Sequence, residues 1–411
     1  MNQSNMNSNM VDPEVSLLLH CVDWRGLRRC QVQVELSERY NRQTDPALEN
    51  HIEEIWTERL SKAPWIFNGA KFRLHSFILA SHKNDSEDAC NQTDNKESST
   101  KQKGDCFPAL PTLPTSEWAE GDPALASKSE KQDGCVLILR LGLTSYKDYL
   151  GTNWSGQAEE LCRRGEVEFG DPLCLLAQPL GVGAVLCTVD EQIVFIRRSQ
   201  QVAEAGGLLD IPGGHPEPKI VCENLGVKIC EEKIDIVMLS PDAVVTELFS
   251  SVCAEIRDEI NVPLTSLEEP VLMGIALNHT SAGRPSAEFY ISCSLTSDQV
   301  KSLYLKGGAE ANESTDIFFV SKRNVLQLNQ KCNLWSELCP SAKGAILLYQ
   351  TSRPVLDCEV FVALSFLQQR LLPRPEPGAR RCIRLSVCLC GRGRELSPGR
   401  QRWRNGIFLS W

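Results

Sequence analysis

The chain has 411 residues, 42% of them hydrophobic, with 18 cysteines and a formal net charge of −10. That length can bury a full core, in two units of ordinary size, and so acidic a balance argues against a general nucleic-acid binder. Residues 1–12 hold no apolar run that would serve as a secretory signal, and no apolar stretch reaches the roughly 20 residues that a membrane helix needs.

From the amino terminus, residues 13–38 and 71–80 alternate apolar and polar in the manner of strands. Residues 46–65 place Leu48, Ile52, Ile55, Trp56 and Leu60 on one helical face. With the apolar run 135–146, which suits a central strand, these segments predict a small α/β unit over residues 12–178. Residues 84–133 interrupt it. They lose all periodicity and fill with Ser, Asp, Asn, Lys, Thr and Pro, a composition that cannot offset its own ordering entropy, so a disordered insertion is expected there.

A second unit is expected over residues 179–350. Residues 183–199 read as a hairpin about Val189, Asp190 and Glu191, ending in Arg197 and Arg198. Guanidinium forks suit phosphate oxygens, and strand alternation turns only one of the two inward. Strand 208–211 then runs into Gly213 and Gly214, where the lack of a side chain permits a tight turn and brings a backbone carbonyl within reach of a metal ion. His215 follows, as a base, a phosphate contact or a solvated loop residue. Residues 215–240 read as an inserted loop.

The helix that ends near Asn261 carries Glu247, Glu255, Asp258 and Glu259. At about 100° per residue, Glu255 and Glu259 lie about 40° apart and Asp258 about 60° to the other side of Glu255, so one stripe offers three carboxylates and Glu247 borders it. Leu248, Phe249, Val252 and Ile256 supply an apolar face for docking on a sheet. An acidic pair on a helix is more often a solvated surface. The preceding double glycine after an apolar strand shifts the reading toward a metal-dependent site.

Strands at 271–278, 286–294 and 315–320 and helices at 296–305 and 341–350 complete an α/β (α+β) pattern, a mixed sheet with helices on either face. Asn278, Ser281, Gly283 and Arg284 form a polar tip between two of those strands, either a turn or a ligand loop. Glu313 reads as an exposed loop acid. Tyr146, Trp154 and Tyr290 can stack on a base, although core packing is the default for each. After residue 350 the composition changes abruptly: from Arg370 onward there are ten arginines and no lysine, interleaved with Pro, Gly and Cys, the pattern of an unstructured basic tail.

No CxxC pair occurs among the cysteines, and Cys187, Cys253 and Cys293 lie singly in apolar segments, where a free thiol acts as a small hydrophobe. A reducing, intracellular compartment is the expectation, cytoplasmic with the nucleus also allowed.

Residues 208–218 (LLDIPGGHPEP) and 246–264 (TELFSSVCAEIRDEINVPL) together resemble a Nudix box, whose second half reads Arg-Glu-apolar-any-Glu-Glu-any-Gly-apolar. Here that half runs Ala254, Glu255, Ile256, Arg257, Asp258, Glu259, Ile260, Asn261 and Val262. Ala254 and Thr246 stand where the family has its structural Arg and Glu, with Glu247 one place later, and the span from Gly214 to Thr246 is far longer than the family's. Segments 139–154, 196–218, 280–300 and 335–350 extend the resemblance to the branch of UDP-sugar diphosphatases.

What the resemblance implies is a Nudix fold and Mg²⁺-dependent hydrolysis of UDP-glucose and UDP-galactose to UMP and a sugar 1-phosphate. Glu255, Glu259, Asp258 and the Gly213 backbone would hold metal, with Glu247 an outer catalytic carboxylate. Arg197, Arg198, Tyr146, Asn278, Ser281 and Arg284 would face substrate. The implied partner is a small molecule, with neither nucleic acid nor membrane involved, and the sequence does not reveal the oligomeric state. A nucleotide-binding protein without turnover, and a Nudix diphosphatase of other specificity, are the alternatives.

Overall fold

A computed structural model describes residues 12–20, 25–81, 135–200, 202 and 204–352. The expected insertion 84–133 and the basic tail beyond residue 352 lie outside the described residues. In chain order the elements are β1 (Val15–Leu19), β2 (Val32–Leu36), α1 (Pro46–Lys62), β3 (Ala70–Ser81), β4 (Cys135–Ser145), α2 (Tyr146–Gly151) and α3 (Ala158–Phe169). There follow β5 (Gly181–Cys187), β6 (Gln192–Arg198), β7 (Leu209–Asp210), β8 (Gly213–Gly214), α4 (Pro218–Asn224) and α5 (Pro241–Ile260). The last are β9 (Val271–Asn278), β10 (Arg284–Ser292), α6 (Ser297–Tyr304), β11 (Ser314–Ser321), α7 (Lys322–Leu326), α8 (Asn333–Glu337) and α9 (Pro340–Ser352).

The larger sheet runs β1-β9-β10-β5-β6-β11, with β7 added to β6 and β8 to β5. β10 and β5 are parallel and the remaining registered pairs antiparallel, the expected mixed sheet. Every residue of β5 is buried, because both faces of the sheet are covered. Val182, Ala184 and Leu186 join Val252 and Ile256 of α5 in one interior, while Val185 and Cys187 join Ala342, Ile346 and Tyr349 of α9 in another.

The smaller sheet, β2-β4-β3, turns Val32, Val34, Phe72, Leu137, Leu139 and Leu141 into the interior that α5 occupies. β1 differs from expectation: it leaves the amino-terminal segments and pairs with β9, Val15 opposite Asn278, because Val15 and Leu19 find their apolar partners there. The described residues up to 79 and from 137 onward form one compact unit, and residues 80, 81, 135 and 136 fall to a second.

Residues 215–240, read as a loop, contain α4 and two 3-10 turns, Glu231–Lys233 and Ile236–Met238. Pro218 opens α4 in the first-turn position where its missing N–H costs nothing, and Val221 and Cys222 bury one side of it. Helices α2 and α3 were not expected. Ser145 caps the first by accepting from Asp148 N–H, and Gly170 in the left-handed region stops the second.

The described cysteines, among them Cys187, Cys253 and Cys293, are free thiols. Among the described residues no helix is long and apolar enough to cross a membrane.

Candidate active site

Three backbone N–H groups of one extended segment face three carboxylates of α5. Gly213 N donates to Glu259 Oε2 at 3.1 Å, His215 N to Glu255 Oε1 at 3.2 Å, and Glu217 N to Glu247 Oε1 at 3.1 Å. Alternate residues of an extended chain present their amides to one side about every 6.6 Å, and one helical turn of four residues advances about 6 Å, so the first two rungs match. β8 is itself held by β5, with Val182 opposite Gly214 and Gly183 opposite Gly213. Gly213 and Gly214 are required because a Cβ at 213 would strike the Val182 carbonyl and one at 214 the Glu255 carboxylate.

Burial sets the charge state of these acids. It pushes Glu255 up to about 7, helped by the charge of Glu310, and Glu247 up to about 7 against the opposing hydrogen bond from the Glu217 amide. Glu259, 3% exposed, lies well above the carboxylate range because of burial first and then the charges of Glu255 and Asp210. Such a set of buried, mutually repelling oxygens carries more negative charge than the nearby Lys71 and Arg198 offset.

A hard divalent cation fits that donor chemistry, since it favours carboxylate and carbonyl oxygens and would relieve the repulsion. Glu255 and Glu259, with a backbone oxygen of the Gly213–Gly214 segment, are the groups that could hold it. As the side chains stand, no three Asp, Glu, His or Cys among the described residues are gathered as a complete metal cluster.

Asp258 is not brought to this row. Its carboxylate is paired with its neighbour Arg257 at 2.6 and 2.7 Å, and its carbonyl accepts from Glu310 N at 2.9 Å. Glu247 thus joins the ladder through Glu217, while Asp258, nearer the stripe's centre on a helical wheel, does not. Where the family's Glu would stand, Thr246 Oγ1 accepts from Arg29 Nη2 at 2.8 Å, tying α5 to the amino-terminal segment.

The arginines divide as alternation requires. Arg197 is committed elsewhere: it donates to the Gly207 carbonyl and Glu337, and its guanidinium lies 5.0 Å from the centre of the Phe318 ring. Arg198 pairs with Asp210 at 2.9 Å and feels the charge of Glu259, which places it on the side of the carboxylates. Arg284 bonds Glu204 at 3.2 Å and covers the Tyr149 ring at 5.4 Å.

Tyr146, Tyr149 and Trp154 form a row of near-parallel rings with centres 6.5 and 6.2 Å apart, and Tyr149 also donates to Glu204. Asn278 and Ser281 shape the turn instead. The Asn278 side chain caps Thr280, and the fully buried Ser281 accepts from Asn153 through its carbonyl. Tyr290 packs flat on Tyr349 in the α9 interior.

His215 is half-buried, and burial together with the charges of Lys71 and Arg284 holds its ring well below the usual histidine range, hence neutral. Glu313 is exposed as expected, yet its charge, with that of Glu310, bears on Glu255.

Several residues of the site were not foreseen. Glu217 had a legible signal, since it shares the parity of Gly213 and His215. Glu288 had one too, as the sole acid in the apolar run of β10. It is fully buried over Gly183, neither carboxylate oxygen has a hydrogen-bond partner, and burial pushes it up to about 8. Lys71 and Glu310 come from distant segments and had none.

A comparison with models of known protein families gives no match. Nudix hydrolase 9 of Arabidopsis thaliana is 31% identical over 317 residues, 76% of this chain and 85% of that protein. With a relative of that identity aligned over most of its length, and carboxylates of one helix set against a double-glycine strand, the chain belongs to the Nudix hydrolase family. More similar still are two proteins named uridine diphosphate glucose pyrophosphatase NUDT22. The Homo sapiens protein is 46% identical over 339 residues, 82% of this chain and 93% of its own length, and the Bos taurus protein 48% identical over 339 residues, 82% and 97%.

Proposed function

We propose that this chain hydrolyses the diphosphate of UDP-glucose and UDP-galactose with Mg²⁺, yielding UMP and a sugar 1-phosphate. The observation that carries the reading is the ladder of Glu259, Glu255 and Glu247 on the amides of 213, 215 and 217, in a chain nearly half identical to uridine diphosphate glucose pyrophosphatases. One water is consumed: its oxygen bonds one phosphorus, the bridging P–O bond breaks, and the bridging oxygen leaves with the other phosphate.

Glu255, Glu259 and the Gly213 backbone would hold Mg²⁺, while Asp258, neutralised by its pair with Arg257, stays outside that set. Bound there, Mg²⁺ supplies charge to offset the diphosphate and lowers the pKa of water. Glu247 is an outer carboxylate that fixes the Glu217 end of the strand. Arg198 and Arg284 face the substrate's anionic part, and the Tyr146 row, capped by Arg284, offers a stacking surface for uracil. Asn278 and Ser281 contribute by holding the turn that presents Arg284. Arg197, already bound to Gly207 and Glu337, supports the strand end. The substrate is a small molecule, with no nucleic acid or membrane required, and the protein works inside the cell.

The test is hydrolysis of a panel with product identification. UDP-glucose and UDP-galactose are expected to exceed ADP-glucose and GDP-mannose by about 100-fold or more in kcat/KM, since a mismatched base leaves buried polar groups unpaired. Equal rates on ADP-sugars would refute the specificity. UDP-glucose binding without turnover would favour the binding-protein alternative, for which the loss of the family pair at Thr246 and Ala254 is the motive.

A further inference from the structure

We infer that Lys71, on β3 of the smaller sheet, is a substrate-phosphate contact, and that supplying this cation is a task of the amino-terminal segment. The inference rests on the diphosphatase reading above.

The placement of Lys71 is built rather than incidental. β3 runs beside the segment that leads into β5: Leu180 N donates to the Phe72 carbonyl at 2.8 Å and Leu74 N to the Gln178 carbonyl at 3.2 Å. Residues 182 and 183, immediately following, are the ones that pair with Gly214 and Gly213. Two positions along, Arg73 is 2% exposed and donates to the carbonyls of Leu176, Tyr40 and Leu173, which fixes the strand's register. Phe72 fills the core, so Lys71 points to the opposite face of the strand.

There its Nζ lies 3.0 Å from Glu217 Oε1, with the side chain 17% exposed, and its charge bears on Glu247, Glu255 and His215. The other cations nearby each hold more than one attachment. Arg198 forks between Asp210 and the Glu204 carbonyl, Arg257 is doubly bound to Asp258, and Arg284 both bonds Glu204 and covers the Tyr149 ring. Lys71 has a single contact, to a carboxylate that is itself 37% exposed. An ammonium on a flexible stem can leave such a partner for a phosphate oxygen at small cost.

A cation beside the carboxylates opposes metal binding in the free protein and favours the anionic nucleotide, so the two affinities must not fall together when it is removed. The experiment measures Mg²⁺ binding alone, and UMP binding in saturating Mg²⁺, by calorimetry on wild type, K71M and K71R, with circular dichroism to confirm folding. In K71M, UMP affinity is expected to fall about 10-fold or more, as for loss of a charged hydrogen bond, while Mg²⁺ affinity rises or holds; K71R is expected to retain most UMP affinity. K71Q serves as the second neutral variant if K71M does not fold.

UMP affinity unchanged in the neutral variant would overturn the proposal. So would a parallel loss of Mg²⁺ and UMP affinity, which would make Lys71 a mere support for the Glu217 strand. A wild type that neither cleaves UDP-glucose nor binds UMP would overturn the parent reading and this one with it. A wild type that does both, beside an unaltered K71M, would refute Lys71 alone.

Discussion

The carboxylate of Glu255 occupies the space that a side chain on Gly214 would need, while its Oε1 accepts from the next amide, His215 N, at 3.2 Å. The neighbouring Gly213 is restricted by a different atom, the backbone carbonyl of Val182. Alanine is therefore expected to do different damage at the two positions. G214A displaces the flexible end of Glu255 and costs about 10-fold or more in Mg²⁺ affinity and kcat with little change in Tm. G213A meets main chain that cannot yield, and lowers Tm by several degrees, on the order of 1–3 kcal/mol as for overpacking. Calorimetry and thermal melts on both variants check this; equal loss of stability in the two would contradict it.

Glu255 and Glu259 are expected to destabilise the metal-free protein and to be needed once metal is bound. E255Q and E259Q are each expected to lower UDP-glucose hydrolysis about 100-fold or more while leaving the fold intact. Without metal at pH 8, E259Q should melt above wild type, because a neutral amide removes the burial penalty that raises Glu259 so far. Added Mg²⁺ should raise Tm for wild type and scarcely for the variants. Near-full activity in either would sink the assignment.

Metal uptake should release protons in a pH-dependent way. Glu255 and Glu247 both stand at about 7 in the metal-free protein, so at pH 6 they are largely protonated and a ligand must lose its proton to bind. Calorimetric titrations of Mg²⁺ in buffers of different ionisation enthalpy should show more proton release at pH 6 than at pH 8.5, and tighter binding at the higher pH. Binding independent of pH across that window would contradict the burial argument.

Glu288 makes a separate stability prediction. Its pKa rises on folding from 4.5 to about 8, so the folded state holds a proton that the unfolded chain gives up. The resulting stability is complete below about pH 4.5 and is lost as pH rises through about 8. E288Q, neutral throughout, should match wild type near pH 4.5 and exceed it at pH 8.5. The interval from 4.5 to about 8, at about 1.4 kcal/mol per pH unit, caps that gain at roughly 5 kcal/mol. Tm against pH for the two proteins decides it; parallel curves would show that Glu288 is not buried uncompensated.

The sequence by itself determined the parts whose signal is local. Alternation in 183–199 and 286–294, the apolar face of Val252 and Ile256, and carboxylates one turn apart at Glu255 and Glu259 follow from the fixed periods of strand and helix, and Gly213-Gly214 marks where backbone must approach them. Tertiary structure decided what depends on which distant segment arrives. The amide of Glu217 brings Glu247 into the row, β1 joins β9, and β3 delivers Lys71. Periodicity tells which face of an element is buried. It does not name the partner across that face, because partners separated by more than a hundred residues are chosen by the joint packing of the whole interior, and a lone polar residue such as Glu288 or Lys71 acquires its environment only when that packing is complete.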